Sequence, residues 1–202
     1  MSGPRGRQTN PGDNPARVDL YWIPLGSGGH VVRINGILYE AAVAAAQRRP
    51  RRDVYHAALV MDLPSGRHAV EMTPVPAGAG SARGVVAEGP VGLRALGRLR
   101  VFRYEVRRWH DGVIPDLAHA VASPVRVVDD LARALRVFDL LPRTPTPTWG
   151  RDELRAGEMW TCNSVISWTL AAAGVDLDDV ALPPRGRAPG WDAGRAVALR
   201  RR

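Results

Sequence analysis

Two short runs of strand-forming residues joined by a turn constrain this chain more than any other stretch. Val54-Tyr55-His56-Ala57-Ala58-Leu59-Val60-Met61 and, after Asp62 to Ser65, His68-Ala69-Val70-Glu71-Met72-Thr73-Pro74 are rich in apolar and β-branched residues and bounded by turn formers. They predict a β-hairpin. Loop length fixes the register of a hairpin, and the register decides which side chains touch. A four-residue loop, Asp62 to Ser65, pairs Met61 with Gly66 and sets His56 opposite Glu71. A tighter turn centred on Ser65-Gly66 sets Glu71 opposite Val60, on the same face as His56 but several residues away. Both registers remain open at this point.

The second constraint is the only cysteine of the chain. Trp160-Thr161-Cys162-Asn163-Ser164 opens an apolar stretch that closes at Gly174. Thr161 suits the N-cap of a helix. Val165, Ile166, Thr169 and Ala173 recur on the Cys162 side at helical spacing, so the thiol stands at the start of a partly buried helix. Unpaired backbone N–H groups and the helix dipole favour a thiolate there, which predicts a Cys162 pKa below the free-cysteine value of about 8.5. Lone cysteines also serve simply as small buried apolar groups.

A cysteine, a histidine and a carboxylate are the parts thiol chemistry needs: a nucleophile, a base for its proton and a group that orients the base. Their order here is His56, Glu71, Cys162. With the elements Tyr55-His56-Ala57-Ala58-Leu59-Val60, Ala69-Val70-Glu71-Met72 and Cys162-Asn163-Ser164-Val165-Ile166-Ser167-Trp168, the sequence resembles a circularly permuted branch of the NlpC/P60 papain-like superfamily. These are the bacterial YaeF/YiiX-like proteins related to lecithin:retinol acyltransferases, in which the histidine strand precedes the nucleophile helix. The resemblance covers about Val54 to Gly174. It implies an α+β, permuted papain-like fold, an antiparallel sheet packed against helices, with the nucleophile helix near the C-terminus. It further implies a cysteine peptidase- or amidase-like hydrolase or acyltransferase working on an amide or ester through a thioester, with Cys162 as nucleophile, His56 as base and Glu71 as orienter. No cofactor or metal is implied. The alternative is a papain-like scaffold that has lost turnover and serves as a binding module. Trp160 beside the nucleophile and Tyr55 beside the base are the candidate substrate-binding residues, and the substrate classes are a peptide, a cell-wall fragment or an acyl lipid. The Pro/Arg-rich stretch between hairpin and helix matches no substrate-binding feature of the family.

In this chain of 202 residues, Val18 to Arg202 fits one domain, and residues 1–17, rich in Gly, Pro and Arg, read as a disordered basic tail. No signal-peptide or membrane-spanning run appears, and one cysteine excludes an internal disulfide, so a reducing cytoplasm is the expected setting. The net charge of +8 rests on arginine alone, without a single lysine, which points to coding bias rather than nucleic acid. No zinc-finger spacing, RNP-like aromatic motif or recognition helix accompanies it. Clusters such as Arg94 to Arg103 are able to attract phosphate or anionic lipid.

Elsewhere the pattern predicts a strand over Val18 to Pro24, an alanine-rich helix over Ile37 to Arg48, and strands over Gly84 to Glu88 and Leu99 to Val106. A helix over Asp129 to Phe138 should bury Leu131, Ala134, Leu135 and Phe138. Gly26 to Gly29 reads as a turn, since it lacks the lysine and spacing of a phosphate-binding loop. Trp191 is expected to anchor a covering loop. His110-Asp111 and Asp116 to His119 lack metal-ligand spacing.

Overall fold

A computed structural model describes residues 16–25, 48, 50, 52–75, 84–114 and 116–200. Most of the basic tail, the glycine turn and the helix expected over Ile37 to Arg48 lie outside them, apart from Ala16, Arg17 and Arg48. Ala16 is buried and Arg17 already opens a strand, although both fall within the stretch expected to be tail.

The strands are β1 (Arg17–Pro24), β2 (Asp53–Leu63), β3 (Gly66–Pro74), β4 (Val85–Pro90), β5 (Arg103–His110), β6 (Val121–Val128) and β7 (Gly186–Arg187). The helices among the described residues are α1 (Leu131–Leu140), α2 (Cys162–Ala172) and α3 (Trp191–Leu199). The sheet runs β4-β5-β3-β2-β1-β6 with antiparallel neighbours, while β7 adds a short parallel pairing to the start of β2. Strands β1 to β6 come first and the helices follow, with only the two-residue β7 between α2 and α3, an α+β arrangement.

Alternation along β1 and β2 builds two apolar clusters. Val18, Leu20 and Trp22 of β1 and Tyr55, Ala57, Leu59 and Met61 of β2 join the main core under the helices. Ile23, Ala58 and Val60 join a smaller cluster on the other face, closed by Ala69 and Ile114. The one buried carboxylate of β1, Asp19, is neutralised by Arg126 of β6 at 2.5 Å, as a desolvated charge requires.

Three expectations change. The strand expected from Leu99 starts only at Arg103, because residues 94–98 and 100–102 close two 3-10 turns first. α1 begins two residues later than expected, where Asp130 accepts a hydrogen bond from the Arg133 N–H at 2.8 Å. Its buried stripe is Ala134 and Val137, continuing to Leu141, while Leu131 and Leu135 face solvent. That helix rests on the sheet by a narrow small-residue edge, so the two leucines fall outside the contact.

α2 is buried along nearly its whole length, polar residues included. Thr161 caps it as expected, accepting from the Asn163 N–H, and Ser164 completes a capping box. The Ser164 and Ser167 hydroxyls donate to the carbonyls of Gly190 and Trp191, both at 2.7 Å. A side chain at Gly194 of α3 would collide with the Ser167 hydroxyl and the Ser164 carbonyl, so this glycine allows the two helices to touch through their backbones. Trp191 anchors the loop as expected, 4.8 Å from the Trp22 ring.

Candidate active site

The site begins where the sheet opens. β2 and β3 pair only from Leu63↔Gly66 to Leu59↔Val70, with Pro64-Ser65 as a two-residue connection. This is neither expected register. One step beyond the last pair, Glu71 falls beside Ala58, so it is a diagonal neighbour of His56 on the same face rather than its direct partner. Beyond that point β2 loses β3 and meets β7 instead, at Asp53↔Gly186 and Val54↔Arg187.

The N-terminus of α2 fills the split. Val54 gives its carbonyl to Leu25 on the β1 side, so Tyr55 and Ala57 direct their free backbone groups the other way. Asn163 takes both: its Oδ1 accepts from the Ala57 N–H at 2.7 Å, and its Nδ2 donates to the Tyr55 carbonyl at 3.0 Å. The same Nδ2 reaches the Pro189 carbonyl at 2.9 Å. One side-chain amide therefore stands in for a missing strand and pins the cysteine to β2. Sequence reasoning missed Asn163 in this role. Its signal was an amide directly after the cysteine, in a helical turn otherwise filled by small and apolar residues.

Cys162 is 7% exposed, and its thiol donates to Asn163 Oδ1 at 3.8 Å. Burial pushes its pKa up to about 12; the Asn163 N–H opposes this most, the Glu71 charge adds to the rise, and the backbone N–H groups of Ala57 and Cys162 itself give less support to the thiolate. The expected depression below the free value is overturned, because desolvation of the sulfur exceeds what the helix terminus returns.

His56 is pushed down to about 4 by burial, with Asp116 opposing, so its ring is neutral at pH 7. Burial and Asp116 raise Glu71 to about 7, although Arg107 lowers it. Arg107 lies opposite Glu71 on β5 and holds the buried Glu105 at 3.0 Å. Asp116 thus acts on both partners of the expected pair, although in the sequence it stood out only beside His119 and without metal-ligand spacing.

Among the described residues no side-chain hydrogen bond joins His56 to Cys162 or Glu71. Glu71 acts on Cys162 and Asp116 on both His56 and Glu71, but the three side chains do not close a triad. Tyr55 and Trp160 belong to the main core, Tyr55 against Gly186 and Trp160 with an indole N–H lacking a hydrogen-bond partner among the described residues. Neither presents a face to solvent. Among the described residues no group of three or more His, Cys, Asp or Glu is placed to hold a metal ion, and no helix is long and apolar enough to cross a membrane.

No known protein family, curated protein or solved structure matches the chain.

Proposed function

We propose that this protein is a cysteine hydrolase or acyltransferase acting on an amide or ester carbonyl, on a permuted papain-like fold, with Cys162 as nucleophile, His56 as base and Glu71 as orienter. One observation supports it above the others. The capped N-terminus of α2 enters a gap between β2 and β3, the two strands that carry His56 and Glu71. A terminus that only filled core would not need to break the sheet at those residues.

With the thiol pushed up to about 12 and the imidazole down to about 4, the resting pair is neutral on both sides. The sulfur then loses its proton to His56 as it attacks the carbonyl, rather than standing ready as thiolate. Collapse of the tetrahedral intermediate returns that proton to the leaving amine or alcohol and leaves a thioester on Cys162. Water or an acceptor hydroxyl or amine then attacks the thioester by the same route in reverse. The backbone N–H of Cys162 lies at the thiol and supplies a donor for the oxyanion, whereas the Ala57 N–H is already given to Asn163. Both displacements arise mainly from burial, so admission of a polar substrate moves the two values toward each other.

A second reading, a binding module without turnover, draws on the missing His56–Cys162 hydrogen bond and the same raised thiol. The two part in a screen of peptide amides and acyl esters with wild type and Cys162→Ala. Turnover lost in the variant supports the hydrolase. Tight binding of a substrate by both proteins, with no turnover by either, supports the module.

A further inference from the structure

Residues 93–103 read Leu-Arg-Ala-Leu-Gly-Arg-Leu-Arg-Val-Phe-Arg, with an apolar side chain at every third position. The backbone follows the same period. Leu96, Leu99 and Phe102 each donate their N–H to the residue three back, at 3.0, 2.9 and 3.0 Å. In 3-10 turns residues three apart stand above one another. Leu93 and Leu99, however, are extended residues that bound the two turns, and the core does not take them: Leu93 is 52% and Leu99 56% exposed, neighbouring Val101 is 75% exposed, and Leu96 alone of the strip's leucines is half-buried. Neither turn contributes a buried residue.

Arginines border this strip. Arg103 pairs with Glu88 at 2.6 Å and Arg94 stands 4.0 Å from Glu153, whereas Arg98 and Arg100 form no ion pair among the described residues. Exposed leucine, valine and phenylalanine beside unpaired guanidinium groups on long apolar stems match the boundary between lipid headgroups and acyl chains. We propose that the segment Leu93 to Arg103 docks this protein on an anionic phospholipid surface.

The placement gives docking a purpose. The segment runs directly into β5, whose first residues pair with Thr73 and Pro74 at the end of β3. The split that receives Cys162 opens toward that same end of the sheet. A docked molecule therefore turns the candidate site's end of the sheet toward the membrane. This purpose rests on the proposed chemistry; the docking itself does not.

Co-sedimentation of the full chain with phosphatidylcholine vesicles, with and without phosphatidylglycerol, tests the proposal. Binding is expected only to vesicles with phosphatidylglycerol, and equally for wild type and Cys162→Ala, which separates failure of docking from failure of the chemistry. Each arginine at an anionic surface favours the bound state roughly five-fold, so Arg98→Glu with Arg100→Glu should weaken partitioning by at least about 25-fold. Leu99→Ser with Val101→Ser should weaken it by about ten-fold through lost apolar burial. The same charge change on α1, Arg133→Glu with Arg136→Glu, should stay within about three-fold because that helix is not part of the proposed docking segment and its charges act only through the screened field. Absent binding, equal binding to neutral vesicles, or an equal loss in the α1 variant overturns the proposal. So does self-association abolished by the serine pair without vesicle binding, which would assign the strip to a second copy of the chain.

Discussion

The two faces of β2 differ in kind although their residues alternate one by one. Tyr55, Ala57, Leu59 and Met61 enter the main core beneath the helices, where packing alone is asked of them. His56 shares the other face with Ala58 and Val60, and that face carries Glu71, Arg107 and Glu105 on the neighbouring strands. The lesson concerns where titratable groups are affordable. On this face they stand at both ends of the apolar cluster: Asp19, Arg126, Asp62 and Arg17 form ion pairs at one end, and His56, Glu71, Arg107 and Glu105 lie toward the end at which β2 and β3 separate.

Chemistry should show the largest difference between the faces. His56→Ala is expected to lower turnover about 10³-fold, the ordinary contribution of a positioned base, while Leu59→Ala lowers stability and leaves turnover per folded molecule unchanged. Steady-state rates normalised to the folded fraction separate the two effects.

Asn163 joins the faces, and its removal should break the split. Asn163→Ala leaves the Ala57 N–H and the Tyr55 carbonyl buried without their partner, while the Pro189 carbonyl keeps the Thr161 hydroxyl, at a cost of about 3 kcal/mol in urea unfolding. A loss below about 0.5 kcal/mol, the range of ordinary surface substitutions, would mean that the helix terminus does not depend on this amide.

The pH dependence of stability sharpens the comparison further. Glu71 rises from 4.5 to about 7 on folding, so the folded state keeps a proton that the unfolded chain loses, and stability falls as pH rises through that interval. His56 drops from 6.5 to about 4, so the unfolded chain gains a proton that the folded state refuses, and stability falls as pH drops through that interval. The slopes oppose each other between 4.5 and 6.5, each worth at most about 3 kcal/mol in total. Glu71→Gln should leave a stability that climbs with pH from about 4 to 6.5, and His56→Gln one that declines from 4.5 to about 7. Urea midpoints across this range check both, and slopes of equal sign in the two variants would contradict the assigned burial.

α1 tests the main-core side on a smaller scale. Val137→Ala should cost about 2 kcal/mol and Leu135→Ala less than about 0.5 kcal/mol, the reverse of what the leucine spacing suggests.

What the sequence made legible follows from these contrasts. The hairpin, β1 and the Thr161 cap rest on local preferences, and all three appear close to their expected positions. The hairpin register did not, because β2 is apolar on both faces and supplies no alternation to fix a phase. The α1 stripe was read in part: Ala134 is buried and Phe138 packs against the core as expected, but Val137 turns inward in place of Leu131 and Leu135, and spacing does not report which of two apolar edges is used. The thiol's acidity was misjudged for a related reason. A helix terminus is visible in sequence, but the depth at which tertiary structure buries it is not. Asn163 and Asp116 became meaningful only once the strands were seen to part.

The claim that Cys162 attacks a carbonyl with help from His56 is tested most directly by trapping the acyl group. Intact-protein mass spectrometry after exposure to activated acyl esters should show one added acyl group, removable by neutral hydroxylamine and located on Cys162. That adduct should form at least about 100-fold more slowly in His56→Ala, the lower bound for a positioned base. An unmodified Cys162 in folded wild type with every ester, or acylation at the same rate without His56, would contradict the account.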